Sequence, residues 1–121
     1  MEKLAKKFKA LSDETRLKVL LLVSKRDICQ KGISKYLGIT DSSVSQHVKI
    51  LKEAEIITGY KEGYYVFYHI NEDAFDECIT FLGSVGKPNS DILKKSNINL
   101  DTTDCTKNCK SFKKCCKRRE I

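Results

Sequence analysis

Tryptophan is absent from this 121-residue chain, aromatic residues make up 8% of it, and proline occurs once and histidine twice. Few large aromatics leave a modest core, and a chain this short buries a smaller share of its surface than a long one, so pairing with a second copy would add stability. Two histidines are thin material for catalysis. The sequence also lacks a phosphate-cradling glycine-rich loop, an HExxH pair, and a serine or cysteine nucleophile motif with an identifiable base, so no enzyme is expected. No run reaches the roughly 18 apolar residues of a membrane span. A charged start followed by an apolar stretch and a cleavage site is missing too, and the expected location is the cytoplasm, with no membrane partner. No repeat recurs at the roughly 20 to 50 residue periods of solenoids.

What is present is concentrated in the middle. ISKYLGITDSSVSQHVKIL, from Ile33 to Leu51, reads as two short helices at a sharp turn, and YKEGYYVFYHI, from Tyr60 to Ile70, reads as a tight β-hairpin. Ile33 and Leu37 stand four apart on one helical face, and Gly38 falls where the chain must turn. Thr40 is placed to cap the next helix by accepting from the amide of Ser43, and Val44, Val48 and Leu51 turn one stripe inward. The opposite side is small and polar: Ser42, Ser43, Ser45, Gln46 and Lys49 bear hydrogen-bonding groups on a ridge slim enough for a DNA major groove, where base edges are distinguishable. After Ile56 and Ile57, a Lys61-Glu62-Gly63 turn is expected to lead into a strand beginning at Tyr64. Lys35, Lys49, Lys52 and Lys61 are candidates for phosphate contacts, each set against the ordinary reading of a solvated surface lysine.

The run from Phe8 to Ile70, with FKALSDETRLKVLLL, GITDSSVSQHVKILKEAEII and KEGYYVFYHI, resembles the ArsR/SmtB family of winged helix-turn-helix repressors. The resemblance covers over half of the chain. It implies a mainly α fold with a small β-hairpin (α+β), a dimeric winged helix-turn-helix that binds double-stranded operator DNA and leaves it when an inducer, usually a metal or metalloid ion, binds. It adds to the DNA-binding set His47, which matches a family position in the recognition helix and reads as a packing or phosphate-contact residue, and Tyr64, at a wing position where a basic residue is common. Glu14 stands where the family usually has proline.

Residues 1–86 are expected to form the DNA-binding and dimerisation domain. Ser12 is a candidate cap for the second helix, whose inward face would be Leu17, Leu20 and Leu21 running toward Val23. One-sided stripes flank the DNA head: Leu4, Phe8 and Leu11 early, and Phe75, Cys78, Ile79 and Leu82 late. Both are candidate dimer surfaces, with intrachain core as the competing reading. Asn71 is a plausible cap for the late helix, with Glu72 and Asp73 complementing its N-terminal dipole. Residues 87–104, rich in Asn, Ser and Thr and holding Pro88, read as a linker.

The last segment, residues 105–121, is a basic cysteine-rich tail. Cys105, Cys109, Cys115 and Cys116 lie within twelve positions, and seven Lys and Arg against Glu120 place +6 of the net +7 charge here. In a reducing compartment clustered thiols are ligands or redox sensors more readily than structural disulfides. Neighbouring cations favour the thiolate, and soft sulfur selects Zn, Cd, Cu(I), trivalent arsenic or an iron-sulfur cluster. The C-x3-C-x5-C-C spacing is neither the paired C-x2-C of zinc ribbons nor a ferredoxin pattern, so it identifies no particular ion. In the family comparison Cys29 falls on the first cysteine of a metal-binding Cys-x-Cys motif whose second position is Lys31 here; Cys29 therefore reads first as a small apolar packing residue and only second as an additional thiol for a tail site. His69 reads as an ordinary strand histidine.

These features point to a homodimeric, DNA-binding repressor that responds to a thiophilic metal, metalloid or iron-sulfur cluster held by the terminal cysteines. A thiol-redox or persulfide trigger on the same fold is one alternative. A metal or cluster carrier using the helix-turn-helix for protein contacts is the other.

Overall fold

The computed structural model describes residues 1–87; the linker beyond Lys87 and the tail with Cys105, Cys109, Cys115 and Cys116 lie outside the described residues. In chain order the elements are α1 (Glu2–Leu11), α2 (Glu14–Lys25), β1 (Ile28–Cys29), α3 (Gln30–Leu37), α4 (Asp41–Glu53), β2 (Ile57–Glu62), β3 (Tyr65–Ile70) and α5 (Glu72–Gly86). Met1–Thr80 forms one compact unit, and a second begins at Phe81, within α5. None of the described helices is long and apolar enough to cross a membrane.

The core of the first unit forms where α2, α3 and α4 meet the start of β2. Val19, Ile33, Val44, Leu51, Ile56 and Ile57 are its fully buried large side chains. Val44, Val48 and Leu51 are buried together as their helical spacing requires, which fixes the rotation of α4 about its axis. Between α3 and α4 the chain reverses over three residues. Gly38 takes a left-handed φ of 66°, which a residue without Cβ adopts at no steric cost, and its amide and that of Ile39 both donate to the Ser34 carbonyl. The Ser34 hydroxyl donates to the Ile39 carbonyl at 2.5 Å. Thr40 Oγ1 then accepts from the Ser43 amide at 3.1 Å, the expected cap.

The sheet is antiparallel with order β1-β3-β2. β1 was not foreseen: two residues are too few for a periodic signal, and it is tertiary pairing, Ile28 with Tyr68 and Cys29 with Phe67, that makes them a strand. The hairpin turn also falls later than expected. Glu62 pairs with Tyr65, so Lys61 and Glu62 belong to β2 and the turn is Gly63-Tyr64. Gly63 has φ of 64° and Tyr64 does not, the pattern of a two-residue turn with glycine in its first central position.

Two expectations about α2 are corrected. Its cap is Asp13, whose carboxylate accepts from the Arg16 amide, while Ser12 ends α1 by donating to the Lys9 carbonyl. Its inward residues are Val19, Leu20 and Val23; Leu17 and Leu21 face solvent. In LKVLLLV nearly every spacing of three or four is apolar, so periodicity cannot choose the face. Asn71 precedes α5 as expected, but its side-chain amide donates to the Glu55 carbonyl at 2.7 Å, bracing the exit from α4. Glu55 itself has φ of 61°, a conformation that disfavours a residue with Cβ. Glu55→Gly should therefore stabilise the fold by about 0.5–1 kcal/mol, read as a higher urea midpoint at constant slope; an unchanged or lowered midpoint would contradict strain at this position.

Candidate nucleic-acid interface

At 3.6 residues per turn, Ser42, Ser45, Gln46 and Lys49 lie opposite the buried stripe of α4, and all four are exposed. They form one continuous polar ridge. Ser43 and His47 flank it and are half-buried. α3 is braced to the start of this ridge by Gln30, whose side-chain amide donates to the Asp41 carbonyl at 3.0 Å. Lys35 and Lys61 are exposed on α3 and β2, and Tyr64, at 98% exposure, is the tip of the hairpin. Of the lysines expected at phosphates, Lys52 has a second role: its ammonium sits 5.9 Å from the centroid of the Tyr68 ring.

The hairpin is anchored to the body at its base. Tyr68 is buried, and its ring lies over Gly59 on the neighbouring strand, where a Cβ would come within 3.1 Å of it. Tyr60 donates its hydroxyl to Asp27 at 2.5 Å and stacks on Phe67 with centroids 5.9 Å apart. The Asp27 carboxylate pushes the Tyr60 hydroxyl up to about 12, so it remains a donor at any working pH. His69 lies in β3, and its Nε2 is 2.6 Å from Thr58 Oγ1 on the paired strand.

Charge is segregated more sharply than the total suggests. Residues 1–52 hold 12 Lys and Arg against 5 Asp and Glu, and residues 53–87 hold 2 against 7. Residues 1–87 together thus carry only +2, split into a basic α1–α4 half, with eight of its twelve cations on residues 1–27, and an acidic segment that includes α5, a distribution that favours a polyanion on the basic half.

A polar network missed in the sequence joins three helices. Arg16, on α2, donates through Nε to the Ala10 carbonyl of α1 at 2.6 Å, and its Nη1 lies 3.4 Å from His47 Nδ1 on α4. Asp13 Oδ2 takes the Arg16 amide at 3.0 Å and lies 3.8 Å from the same ring nitrogen. The available signal was an Asp at a helix start with an Arg three residues on, but no spacing rule could have joined this pair to His47, 31 positions from Arg16.

Of the residues proposed for pairing, Ile79 and Leu82 are exposed, Leu4, Phe8 and Phe75 are half-buried, and Cys78 is buried within its own protomer. Burial pushes the Cys78 thiol up, against the pull of Lys7. Lys7, itself buried, pairs with Glu77 at 3.3 Å and so links α1 to α5. Cys29 and Cys78 are free thiols, Cys29 half-buried where β1 meets α3. Among the described residues no three His, Cys, Asp or Glu side chains converge on a metal position.

A family model described as "Bacterial regulatory protein, arsR family" matches residues 13–58, from the start of α2 into the hairpin. The transcriptional repressor SdpR of Bacillus subtilis is 34% identical over 86 residues, 70% of this chain and 96% of that one. The chain belongs to the ArsR family. Within that family it is also similar to the arsenical resistance operon repressor of Bacillus subtilis, 32% identical over 60% of this chain and 70% of the relative. Its fold matches that of the homodimeric winged helix-turn-helix DNA-binding domain from Mycobacterium bovis, with a TM-score of 0.60 and 22% identity over 72% of this chain and 82% of the other. The two-helix reader and hairpin of this ArsR-family chain are thus the α3–α4 pair and the β2–β3 wing.

The Asp13 carboxyl is held below its ordinary value of 3.8, first by accepting the Arg16 amide and further by the nearby charge of the Arg16 guanidinium. A carboxylate so held contributes stability above its unfolded-state pKa and loses it as pH falls through the lower, folded value. Asp13→Asn should accordingly be less stable than wild type at pH 7, with the gap closing as the solution is taken well below pH 4; thermal melts at both pH values read it, and a gap that persists unchanged in acid would refute the carboxylate's part.

Proposed function

We propose that the chain is a homodimeric transcriptional repressor whose paired α4 helices enter successive major grooves of a palindromic operator. The observation that carries this is the exposed ridge Ser42, Ser45, Gln46 and Lys49, set by the buried stripe behind it, together with the exposed wing tip at Tyr64. Serine hydroxyls and the Gln46 amide supply donors and acceptors for base edges, while Lys35, Lys49 and Lys61 supply charge for phosphates. The reading places the protein in the cytoplasm with its operator. Pairing would draw on the exposed Ile79 and Leu82 of α5 together with Leu4 and Phe8 of α1, and the relatives support it, one similar structure being described as homodimeric.

The trigger in this reading is a thiophilic ion held by Cys105, Cys109, Cys115 and Cys116. A relative named as an arsenical resistance operon repressor favours a soft metal or metalloid over an oxidant, and the cations set among the four thiols favour the thiolate that ligation requires. Cys29, half-buried at the start of α3, is the further thiol available to such a site. Ligand must favour a dimer geometry in which the two α4 helices no longer fit one duplex, and a coupling of about 1–3 kcal/mol suffices.

Operator affinity should fall steeply with salt, and Lys49→Ala, which removes two phosphate contacts per dimer, should flatten the slope of log K against log salt by about 2. A slope equal to wild type would take Lys49 off the phosphates. For the trigger, anaerobic titration with arsenite or Cd(II) should produce sulfur charge-transfer absorbance and release DNA, and changing the four tail cysteines to serine should abolish both. Release by oxidant alone, or an unaltered titration in the serine variant, would remove the tail from an ion site.

A further inference from the structure

His47 occupies the flank of α4, between the buried stripe and the reading ridge, with 20% of its side chain exposed. Among the described residues its polar contacts, with Arg16 and Asp13, both go to Nδ1, so Nε2 is the ring nitrogen left for a ligand. The charged groups at Nδ1 are Arg16 from α2 and Asp13 from the link between α1 and α2; α1 itself contributes the Ala10 carbonyl, which Arg16 Nε holds at 2.6 Å. A guanidinium has donors only. The ring nitrogen 3.4 Å from it must therefore accept, which puts the imidazole proton on Nε2. Asp13, at 3.8 Å, lies beyond hydrogen-bonding distance and would require the opposite tautomer. The nearer contact decides between them, and the Ala10 carbonyl keeps the guanidinium from swinging away.

We propose that Arg16 is a positioning residue for DNA reading: it holds His47 in the Nε2–H tautomer, so that the recognition helix presents a neutral N–H donor to an operator phosphate oxygen in a register fixed by α1. The role rests on the repressor reading above, because it requires a duplex against α4. It also ties the reading helix to α1, one of the two helices assigned to pairing, through a single side chain.

The hold on the ring can be tested without DNA. Long-range 1H–15N correlation spectra of the labelled full chain at neutral pH should show His47 protonated at Nε2, and Arg16→Gln should shift the population toward a mixture of tautomers. Arg16→Lys, which cannot bridge Ala10 and His47 in the same way, serves if the glutamine variant does not fold. Operator binding then separates positioning from bulk structure. Arg16→Gln should weaken binding about 10-fold. His47→Ala, which removes the donor itself, should cost about as much as Arg16→Gln, and adding Arg16→Gln to it should cost less than about 3-fold more. An Nδ1–H tautomer in wild type, or the same loss from Arg16→Gln in both backgrounds, would overturn the proposal. A wild-type chain that binds no duplex would instead overturn the repressor reading, leaving the tautomer spectrum to decide whether Arg16 holds the ring.

Discussion

The rest of the structure depends on how α4 is seated. Val44, Val48 and Leu51 are buried against the core, and burying three such side chains contributes on the order of 5 kcal/mol or more, far beyond any single polar contact on the opposite face. That packing leaves one rotation of the helix open. Ser42, Ser45, Gln46 and Lys49 are exposed as its consequence, and their polar groups are not spent on the interior. The end caps then sharpen the placement: Thr40 at the start, Gln30 across from α3, and Asn71 on the carbonyl of Glu55 just beyond the end. A helix held at both termini and along one side can present a ridge to a groove at little further entropic cost.

The wing is built on a different principle. Most of its outward side chains are exposed, so it is held at its root rather than along its length: Tyr68 buried over Gly59, Lys52 above that ring, and Tyr60 reaching Asp27 next to β1. The short β1 strand completes the root by pairing with β3. The tip at Gly63-Tyr64 is free to meet a ligand while the base cannot slide, and Tyr64 in place of a cation leaves more of the phosphate attraction to α3 and α4.

Much of this was legible in the sequence where periodicity and cap chemistry agreed. The α3–turn–α4 unit, the Gly38 reversal, the Thr40 cap and the inward stripe of α4 all stand as expected, because each rests on local spacing. Where the sequence offered equivalent choices the reading went astray. The apolar face of α2 was misjudged among adjacent leucines and valines, the cap moved from Ser12 to the neighbouring Asp13, and the hairpin turn moved to Gly63-Tyr64. Contacts that close over long separations were invisible: β1 with β3, Tyr60 with Asp27, and Arg16 with His47. For His47 this matters most: a residue read as a packing or phosphate contact is held from behind by Arg16.

The central claim is that the α4 ridge and the wing tip read double-stranded DNA, with Lys35 and Lys61 on the adjoining phosphates. Backbone amide chemical-shift mapping of the full chain, titrated with a duplex spanning the region upstream of its own gene, tests it most directly. The account predicts the largest perturbations at Ser42, Ser45, Gln46, Lys49, Gly63 and Tyr64, with a random duplex at matched salt giving weaker, less localised changes. Perturbations centred on another face of the protein, or none at any salt concentration, would contradict it.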